Sequence, residues 1–520
     1  MAFMLEPVAQ ARPAEVALLD DTGSIHWRGL NQRANQLIRV LQAAGLQPGD
    51  RLALFAGNSR YYFEMMLAAH HMGLRYVPVN WHFTADELAY VLQDCGASAL
   101  VTDARLGPVA QAALRLAPDT AQQLRVCVDA PLAGFEALDR LLATQPDASE
   151  PLGQSVGGPM FYTSGTTGRP KGVLRKAAGA STRVETLHAF ANGVVQMVGL
   201  PIPGVTLLAG PVYHSAQWSF CFAALLMGSR VVMTHKFDAA QTLELIDQHQ
   251  VTNVHLVPTQ FLRLLRLPPE ARERFNGTSL QKVWHGAAPC APDVKRAMIA
   301  WWGPCIHEYY GSTEGAVVTG ISSAEWLLRP GSVGRQIGKV EVHILREDGS
   351  SAPVTEQGSI YLRNQNAIEL EYHNDPAKTA AAHHGTSLFT TGDVGWVDAE
   401  GFLYLTDRKI DMIISGGVNI YPAEIEAVLT AHAAVHDVAV IGIPNAEFGE
   451  EVKALVELTP GHTASEELQA QLLAHCRQTL AGYKVPRSIE FKTALPRTES
   501  GKLQKRLLRD SYWAGTGRKI

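Results

Sequence analysis

The feature of this 520-residue sequence that most constrains its fold is a regular alternation of helix-like and strand-like segments. Apolar residues recur at helical spacing from Leu30 to Leu41, and the apolar run Arg51–Ala56 that follows is typical of a strand. The same alternation returns between Thr206 and Val257, whereas Val340–Leu362 is typical of short antiparallel strands. Since parallel strands need helical crossovers, we predict a large N-terminal α/β domain with two helix-covered sheet subdomains plus a β-rich subdomain.

The C-terminal part of the chain has a different and shorter pattern. A helix is predicted from Pro422, strands over Val435–Ile443 and Val452–Leu458, and a second helix over Glu466–Leu480. Such a segment has the size of a small α+β domain. We therefore expect an N-terminal domain of residues 1–409 and a small α+β C-terminal domain of residues 410–520.

Composition and charge exclude several classes of protein. The chain is 46% hydrophobic and 18% charged with a net charge of -5, which fits a compact globular protein and argues against nucleic-acid binding. The N-terminus lacks the basic start and apolar stretch of a signal peptide, and the most apolar run, Phe220–Met227, is too short to span a bilayer. We expect a cytoplasmic protein without an integral membrane segment. Peripheral contact with a membrane and a homodimer are left open.

Hydroxyl, glycine and lysine residues are concentrated in the segment FYTSGTTGRPKGV, residues 161–173. Glycines let backbone N–H groups approach a polyphosphate closely, hydroxyls add donors, and a lysine adds positive charge. The segment differs from a Walker A loop because Lys171 is followed by Gly172 rather than by Ser or Thr. The predicted phosphate-binding residues are Thr163, Ser164, Gly165, Thr166, Thr167, Gly168 and Lys171.

Four more segments follow this loop in order: HGAAP (285–289), EYYGSTEG (308–315), TGD (391–393) and PRTESGKLQK (496–505). With the phosphate loop, they make the chain similar to the adenylate-forming superfamily of acyl-CoA synthetases, adenylation domains and luciferases. The resemblance covers nearly the whole chain, and it is most like a bacterial-type fatty-acid or aryl-acid CoA ligase. It implies an enzyme that joins a carboxylic acid to ATP as an acyl-adenylate, releases pyrophosphate, and then transfers the acyl group to coenzyme A with release of AMP.

The resemblance assigns most of the ATP site to the large domain. Thr313 would contact the α-phosphate, Glu314 would hold Mg²⁺, and Tyr310 would stack on adenine. One carboxylate suffices because Mg²⁺ also takes phosphate oxygens as ligands. Asp393 would accept hydrogen bonds from both ribose hydroxyls, supported by Arg408. The other predicted nucleotide contacts are Gly286, Ala287, Ala288, Gly311 and Ser312.

The resemblance puts the catalytic lysine, Lys502, on the small domain, which is expected to be mobile. Lys502 would bridge the carboxylate and the α-phosphate, after which the domain would rotate so that Gly416 and Gly417 line a tunnel for the pantetheine arm of coenzyme A. Ile410 stands where the family commonly has a polar pivot, yet a hinge needs only residues that tolerate a dihedral change. The predicted contacts of coenzyme A, which could equally be ordinary surface residues, are Tyr483, Lys484 and Arg487.

The acyl group is expected to lie in a mostly apolar pocket. His214, in GPVYHSAQW, matches the family's aromatic gate between the ATP site and the acyl tunnel, and we count it with Thr313, Glu314 and Lys502 as a catalytic residue. The other predicted wall residues offer no buried cation for a second carboxylate, which favours a hydrophobic monocarboxylic acid and leaves fatty and aryl or alicyclic acids open. These wall residues are Tyr213, Trp218, Gln260, Phe261, Ala287 and Ser312.

Other functions stay open on the sequence alone. An enzyme that forms the acyl-adenylate could pass the acyl group to a separate carrier protein, or could use it in oxygen chemistry as luciferase-like relatives do. A noncatalytic binding protein could keep the fold after losing turnover. Against this last alternative, the polar residues that the resemblance requires are all present: Lys171, Thr313, Glu314, Asp393, Arg408 and Lys502.

Overall fold

The computed structural model describes residues 5–145, 148–149, 151, 155–163, 170–177, 185–365, 368–385, 387–408, 411–415, 418–445, 448–498 and 502–514. Within these residues, two sheets with parallel strands and an adjoining antiparallel region form a large N-terminal domain, and a separate sheet forms a smaller C-terminal domain. The predicted fold class is confirmed.

The N-terminal alternation of helices and strands forms the first sheet. Its elements and their neighbours are α1 Glu6–Ala11, β1 Val16–Asp20, β2 Gly23–His26, α2 Trp27–Ala43, β3 Arg51–Phe55, α3 Arg60–His71, β4 Arg75–Pro78, α4 Ala85–Cys95, β5 Ala97–Thr102, α5 Gly107–Leu116, β6 Leu124–Cys127, β7 Glu136–Ala137, α6 Leu138–Ala143 and β8 Gly158–Pro159. The strand order is β7-β6-β5-β3-β4-β8, and neighbouring strands are parallel.

Strand β3 shows why helices cover both faces of this sheet. Successive side chains of a strand point to opposite faces. Leu52 and Leu54 pack into a core with α2, α3 and α8 (Ser215–Leu226), whereas Ala53 and Phe55 pack into a second core with α4 and α5. All four side chains are fully buried, so the strand has no polar face. This is the pattern expected of a parallel strand with helices on both sides.

A larger sheet follows, parallel at one end and antiparallel at the other. The elements up to residue 328 are β9 Phe161–Thr163, β10 Lys171–Ala177, α7 Glu185–Val198, β11 Val205–Leu208, α8, β12 Arg230–Met233, α9 Ala239–His249, β13 Asn253–Leu256, α10 Pro258–Leu265, α11 Pro269–Arg274, β14 Lys282–His285, α12 Pro292–Trp302, β15 Ile306–Ser312, β16 Ala316–Ser322 and α13 Ser323–Leu328. The elements after them are β17 Ser332–Gln336, β18 Val340–Leu345, β19 Gly358–Asn364, β20 Ile368–Tyr372, α14 Pro376–Ala382, β21 His383–His384, β22 Leu388–Phe389, β23 Asp393–Val397 and β24 Leu403–Arg408.

The strand order of the larger sheet is β2-β1-β12-β11-β13-β14-β15-β16-β17-β24-β23-β19-β22-β21, with β18 paired to β19. Neighbouring strands from β1 to β15 are parallel, and those beyond β15 are antiparallel. Strands β20, β10 and β9 form a short antiparallel sheet beside them. Helix α8 joins the two large sheets, because its Phe222 lies in one core with Leu52 of β3 and Val231 of β12.

The C-terminal domain has its own core. Its elements are β25 Ile413–Ser415, β26 Val418–Ile420, α15 Pro422–Thr430, β27 Val435–Asn445, β28 Gly449–Leu458, α16 Glu466–Thr479, a 3₁₀ turn Gly482–Lys484, β29 Ser488–Lys492 and α17 Lys505–Trp513. The sheet order is β26-β25-β28-β27, and β29 pairs with β28. Ile413, Val440 and Leu472 pack together with other residues of this domain. Nowhere in the described ranges is a helix both long and apolar enough to cross a membrane.

Candidate active site

The HGAAP and EYYGSTEG segments lie side by side at one edge of the larger sheet. Strands β14 and β15 are parallel and His285 lies opposite Glu308, so the residues that follow each strand emerge at the same edge. A β-carbon on Gly286 would lie 2.6 Å from the ring of Tyr309, which explains the glycine at this position. Ala287 has a positive φ of 68°, so the backbone turns sharply there. The fold thus brings the two predicted adenine-binding segments together.

Tyr310 and Asp393 come together although they are far apart in the chain. The Tyr310 hydroxyl and the Thr391 hydroxyl each donate a hydrogen bond of 2.7 Å to Oδ2 of Asp393, which is buried. Across the β23–β24 pair, Asp393 lies opposite Arg408. The backbone of Arg408 is described but its side chain is not. The arrangement fixes a carboxylate close to Tyr310, in the C-terminal part of β15.

The turn after β15 packs against the start of helix α8. Thr313 Oγ1 and Ser215 Oγ are 3.0 Å apart, and Ser215 directly follows His214. Gly311 lies at an irregularity in the β15–β16 pairing, where a β-carbon would come within 2.2 Å of the Ala316 carbonyl oxygen. Ser312 Oγ accepts a hydrogen bond of 2.9 Å from the backbone N–H of Gly315. Thr313, predicted to contact the α-phosphate, and His214, predicted to gate the acyl tunnel, therefore lie close together.

Lys502 of the small domain acts electrostatically on His214 of the large domain. His214 is half-buried, and its Nε2 is shielded from solvent and has no hydrogen-bond partner within the described part of the chain. Burial, then the charge of Lys502, then that of His82 lower the pKa of His214 to about 4, so the ring is neutral at pH 7. Lys502 itself is tied to Thr498: the Lys502 N–H donates to Thr498 Oγ1 (3.1 Å), and the Thr498 N–H donates to the Lys502 carbonyl (2.9 Å).

The two ends of the predicted phosphate loop are held together by strand pairing. Thr163 of β9 lies directly opposite Lys171 of β10. Ser164, Gly165, Thr166, Thr167 and Gly168 lie outside the described residues, so their predicted contacts stay predictions. Lys171 Nζ forms an ion pair of 2.9 Å with Asp375 Oδ2, and this hydrogen bond raises the pKa of Lys171.

Comparison with known proteins decides the family. The model of the AMP-binding enzyme family matches residues 5–372, and the model of the AMP-binding enzyme C-terminal domain matches residues 424–502. The chain belongs to the AMP-binding enzyme family. The adenylate-forming resemblance predicted from the motifs is thereby confirmed.

Relatives and solved structures of this family match the chain over almost its full length. A fatty acid–[acyl-carrier-protein] ligase, ScoC, from Streptomyces coeruleorubidus is 30% identical and covers 98% of this chain and 96% of its own. A feruloyl-CoA synthase from an Amycolatopsis species is 33% identical over 96% of both chains. The anthranilate CoA ligase AuaEII, solved with anthranoyl-AMP, aligns with a TM-score of 0.86 at 25% identity, covering 98% of this chain and 96% of the other.

Three polar residues of this AMP-binding enzyme that lie beside Glu314 or Lys171 were not predicted from the sequence: Tyr372, Asp375 and Lys378. The Tyr372 hydroxyl donates to Glu314 Oε1 at 3.1 Å, and Lys378 Nζ lies 4.1 Å from the centre of the Tyr372 ring. Burial lowers the pKa of Lys378, whereas the carboxylates of Glu314 and Asp375 oppose this. The sequence around them indicates only the start of a helix, because Asp375 caps α14 and Pro376 is its first residue. Their place beside Glu314 and Lys171 depends on β20 pairing with β10, which no local pattern shows.

A buried ion pair stabilises the strand that carries Tyr310. Lys295 Nζ of α12 lies 2.5 Å from Glu308 Oε2 of β15, and the Lys295 side chain has no solvent exposure. The Trp326 ring covers the ammonium group at 4.7 Å, and His285 Nε2 lies 3.8 Å from the same carboxylate oxygen. Removing one member of a buried ion pair leaves an unpaired charge, which is strongly destabilising. The pair therefore couples α12 to the sheet edge where the two predicted adenine-binding segments lie.

The predicted acyl-pocket residues fall into two groups. Tyr213 and His214 are in ring contact at 4.5 Å, and the edge of Trp81 meets Tyr213 at 4.8 Å. Trp218 and Gln260 are deeper: Trp218 Nε1 donates to Met66 Sδ, and both polar ends of the Gln260 amide bond to backbone groups. Phe261 is fully buried against His285. Ala287 and Ser312 lie in the HGAAP and EYYGSTEG segments at the edge of the larger sheet. Their role as pocket walls stays a prediction.

The predicted coenzyme A contacts lie on the small domain. Tyr483 is 55% exposed, and the neighbouring Lys484 Nζ forms an ion pair of 2.6 Å with Glu424. The guanidinium of Arg487 lies 4.3 Å from the centre of the Phe448 ring. Gly416 and Gly417 lie outside the described residues. An exposed tyrosine beside two basic side chains suits an adenine ring and its phosphates, and this assignment also stays a prediction.

Proposed function

We propose that this chain is an AMP-forming acyl-CoA ligase that activates a hydrophobic monocarboxylic acid. The observation that supports this most strongly is the contact of Thr313 with Ser215, the neighbour of His214, whose pKa the charge of Lys502 helps to lower. A mobile cation and a hydroxyl from two distant segments would thus share one site. The match of both family models, in order, along the chain supports the same reading.

In the first half-reaction, a carboxylate oxygen of the acid attacks the α-phosphorus of ATP, and pyrophosphate leaves. Two anions must approach each other, so the site has to cancel their repulsion and hold them in line. We assign the charge cancellation to Lys502 and the hydrogen bond to the α-phosphate to Thr313. Asp393, already oriented by the hydroxyls of Tyr310 and Thr391, would accept hydrogen bonds from the ribose.

Mg²⁺ is proposed to bind at Glu314. The half-buried carboxylate of Glu314 is a hard oxygen donor of the kind that Mg²⁺ prefers, and Tyr372 orients it through a hydrogen bond. When bound, the ion would neutralise negative charge on the phosphates of ATP and on the departing pyrophosphate. Lys171 and Lys378 would contribute positive charge on the same side of the site.

In the second half-reaction, the thiol of coenzyme A attacks the acyl carbon and AMP leaves. We propose that the small domain, with a boundary near residues 409–410, rotates to exchange Lys502 for the segment with Gly416 and Gly417. Tyr483, Lys484 and Arg487 would then bind the nucleotide end of coenzyme A. A homodimer stays a prediction, which light scattering of the purified protein would test.

The proposed acid is a fatty, aryl or alicyclic monocarboxylic acid. The aromatic group Trp81, Tyr213 and His214 offers apolar contact, and His214 is neutral at pH 7. Among residues whose side chains are described, the buried cations are Lys295 and Arg509, and Lys295 is already paired with Glu308. A second carboxylate on the acid would therefore be buried without a partner, which is costly.

Transfer to a carrier protein is the second candidate function. It is favoured by ScoC, a fatty acid–[acyl-carrier-protein] ligase that matches 98% of this chain. The two candidates share the first half-reaction and differ only in the thiol. Single-turnover assays with preformed acyl-adenylate, offered either coenzyme A or holo-carrier protein, would separate them.

The proposed function is tested by following labelled oxygen from the acid. A panel of acids with ¹⁸O in the carboxylate is incubated with ATP, Mg²⁺, coenzyme A and enzyme. If the acyl-adenylate forms, each turnover leaves one ¹⁸O atom in AMP. Label in inorganic phosphate, with ADP as the nucleotide product, would instead indicate an acyl phosphate and overturn the proposal. No turnover with any acid of the panel would favour the noncatalytic alternative.

A further inference from the structure

Arg266, an arginine of the large domain, contacts the sheet of the small domain. Arg266 caps the C-terminal end of α10. Its Nη2 donates to the carbonyl oxygen of His436 at 2.9 Å, and its Nη1 lies 2.6 Å from Nδ1 of the same residue. His436 is on β27, whose Val435 and Val438 belong to the core of the small domain. Because the guanidinium contacts both the backbone and the ring of His436, it fixes the orientation of β27 as well as its distance from α10.

From His436 the contacts continue to the lysine of the first half-reaction. Asp437, the next residue, holds Arg497 through two hydrogen bonds of 2.5 and 2.7 Å. Arg497 pairs with Leu503 in an isolated β-bridge, and Thr498 is hydrogen-bonded to Lys502 in both directions. The two ends of the segment that carries Lys502 thus pair with each other, and Arg497 anchors them to the strand that Arg266 contacts. We call Arg266, His436, Asp437 and Arg497 the domain clamp.

We propose that Arg266 is a positioning residue for the first half-reaction, which uses the domain clamp to hold Lys502 over the carboxylate and the α-phosphate. This inference rests on the proposed function and extends it to a residue outside the nucleotide and acyl sites. Arg266 touches neither substrate in this assignment. It acts through His436, Asp437 and Arg497.

The charges around Arg266 suit a contact that must form and break. Asp437 and Glu457 attract the guanidinium, and Glu457 Oε1 also lies 3.6 Å from His436 Nε2. Arg263, one helical turn away, adds a repulsive charge at His436. The ring of His436 can accept a hydrogen bond at Nδ1 only while it is neutral, and burial followed by the Arg266 charge lowers its pKa. Exposed polar contacts of this kind contribute little each, so the small domain can still leave.

The test compares the two half-reactions in an Arg266→Ala variant. Single-turnover formation of acyl-adenylate and pyrophosphate is measured first. Transfer from preformed acyl-adenylate to coenzyme A is measured separately. We expect acyl-adenylate formation to slow about fivefold, which is the upper end for the loss of an exposed charged contact, while transfer stays within about twofold of the parent. Arg266→Lys should recover part of the rate, because one donor can still reach the His436 carbonyl.

Two further variants make the result specific. Asp437→Asn keeps the shape of the clamp but removes its charge toward Arg497, and it should slow only the first half-reaction. Arg274→Ala, on the neighbouring helix α11, is the matched control and should change neither rate. Equal loss in both half-reactions would indicate a merely structural role, and no loss in either would also overturn the inference. If the parent protein itself formed no acyl-adenylate, the proposed function would fail rather than the clamp alone.

Discussion

The small domain has two faces that differ in how they are held. On one face, His436 contacts Arg266 of the large domain, and the charge of Lys502 lowers the pKa of the half-buried His214. On the other, Tyr483 is exposed and Lys484 pairs with Glu424 of its own domain. The first face is therefore engaged with the large domain, whereas the second keeps its polar contacts within the small one. Under the proposed function, this difference means that the arrangement suits adenylation and that thiol transfer would require the faces to change places.

The largest expected effect comes from Lys502→Ala on the engaged face. A positive charge in a water-poor site contributes roughly 3 kcal/mol to the transition state, which is about a hundredfold in rate. Acid-dependent exchange of labelled pyrophosphate into ATP should fall by that factor, whereas thiol transfer from preformed acyl-adenylate should persist. Lys492→Ala, on β29 of the same domain, is the control. Pyrophosphate exchange at the parental rate in the Lys502→Ala variant would contradict the distinction between the two faces.

A smaller effect is expected at a residue that both half-reactions share. Asp393 stays in the large domain and would hold the ribose before and after the rotation. Asp393→Asn should raise the KM for ATP about thirtyfold, since a hydrogen bond to a charged group contributes about 2 kcal/mol. It should also weaken binding of AMP, measured by calorimetry. Asp293→Asn, an exposed carboxylate on α12, serves as the control, and an unchanged KM in the Asp393 variant would contradict the ribose assignment.

The exposed face is tested by Tyr483→Ala. Stacking of a base on an aromatic side chain contributes about 1 to 3 kcal/mol, so we expect the KM for coenzyme A to rise about tenfold. Pyrophosphate exchange should not change, because the first half-reaction does not use coenzyme A. Tyr483→Phe keeps the ring and should behave like the parent. A loss of exchange in the alanine variant would show that the two faces are not separate.

The smallest expected effect is a change in the titration of His214. Its pKa of about 4 results from burial first and from the Lys502 charge second. In a Lys502→Met variant the pKa should rise, because the repulsive charge is gone, but it should stay below the ordinary value of 6.5, because the burial remains. NMR of ¹³C-labelled histidine, with His214→Gln for assignment, measures this. An unchanged pKa would mean that Lys502 does not approach His214 in solution.

Much of the fold could be predicted because its signals are local. Helix α4 begins at Ala85, since Thr84 and Glu87 form a capping box, and it ends at Gly96, which takes the left-handed conformation that glycine favours. The apolar run Ala97–Thr102 is a strand of that length in the structure. In both cases neighbouring residues carry the whole signal.

The parts that could not be predicted depend on contacts between distant residues. Arg266 and His436 are 170 positions apart, and neither lies in a recognisable motif. Tyr372 and Lys378 meet Glu314 only because β20 pairs with β10. A sequence pattern indicates which residue types could bind a phosphate, but it does not show which strands become neighbours. The motifs therefore predicted nucleotide-binding residues, whereas the clamp required the structure.

The central claim, that one closed arrangement serves adenylation and must open for thiol transfer, is tested most directly by fixing the domains together. Cysteines introduced by Arg266→Cys and His436→Cys are joined with a short bismaleimide, and the parent protein treated in the same way is the control for its native cysteines. We expect the cross-linked enzyme to form acyl-adenylate and pyrophosphate in a single turnover while transfer to coenzyme A falls at least about tenfold. Thioester formation at the rate of the uncrosslinked variant would contradict the account.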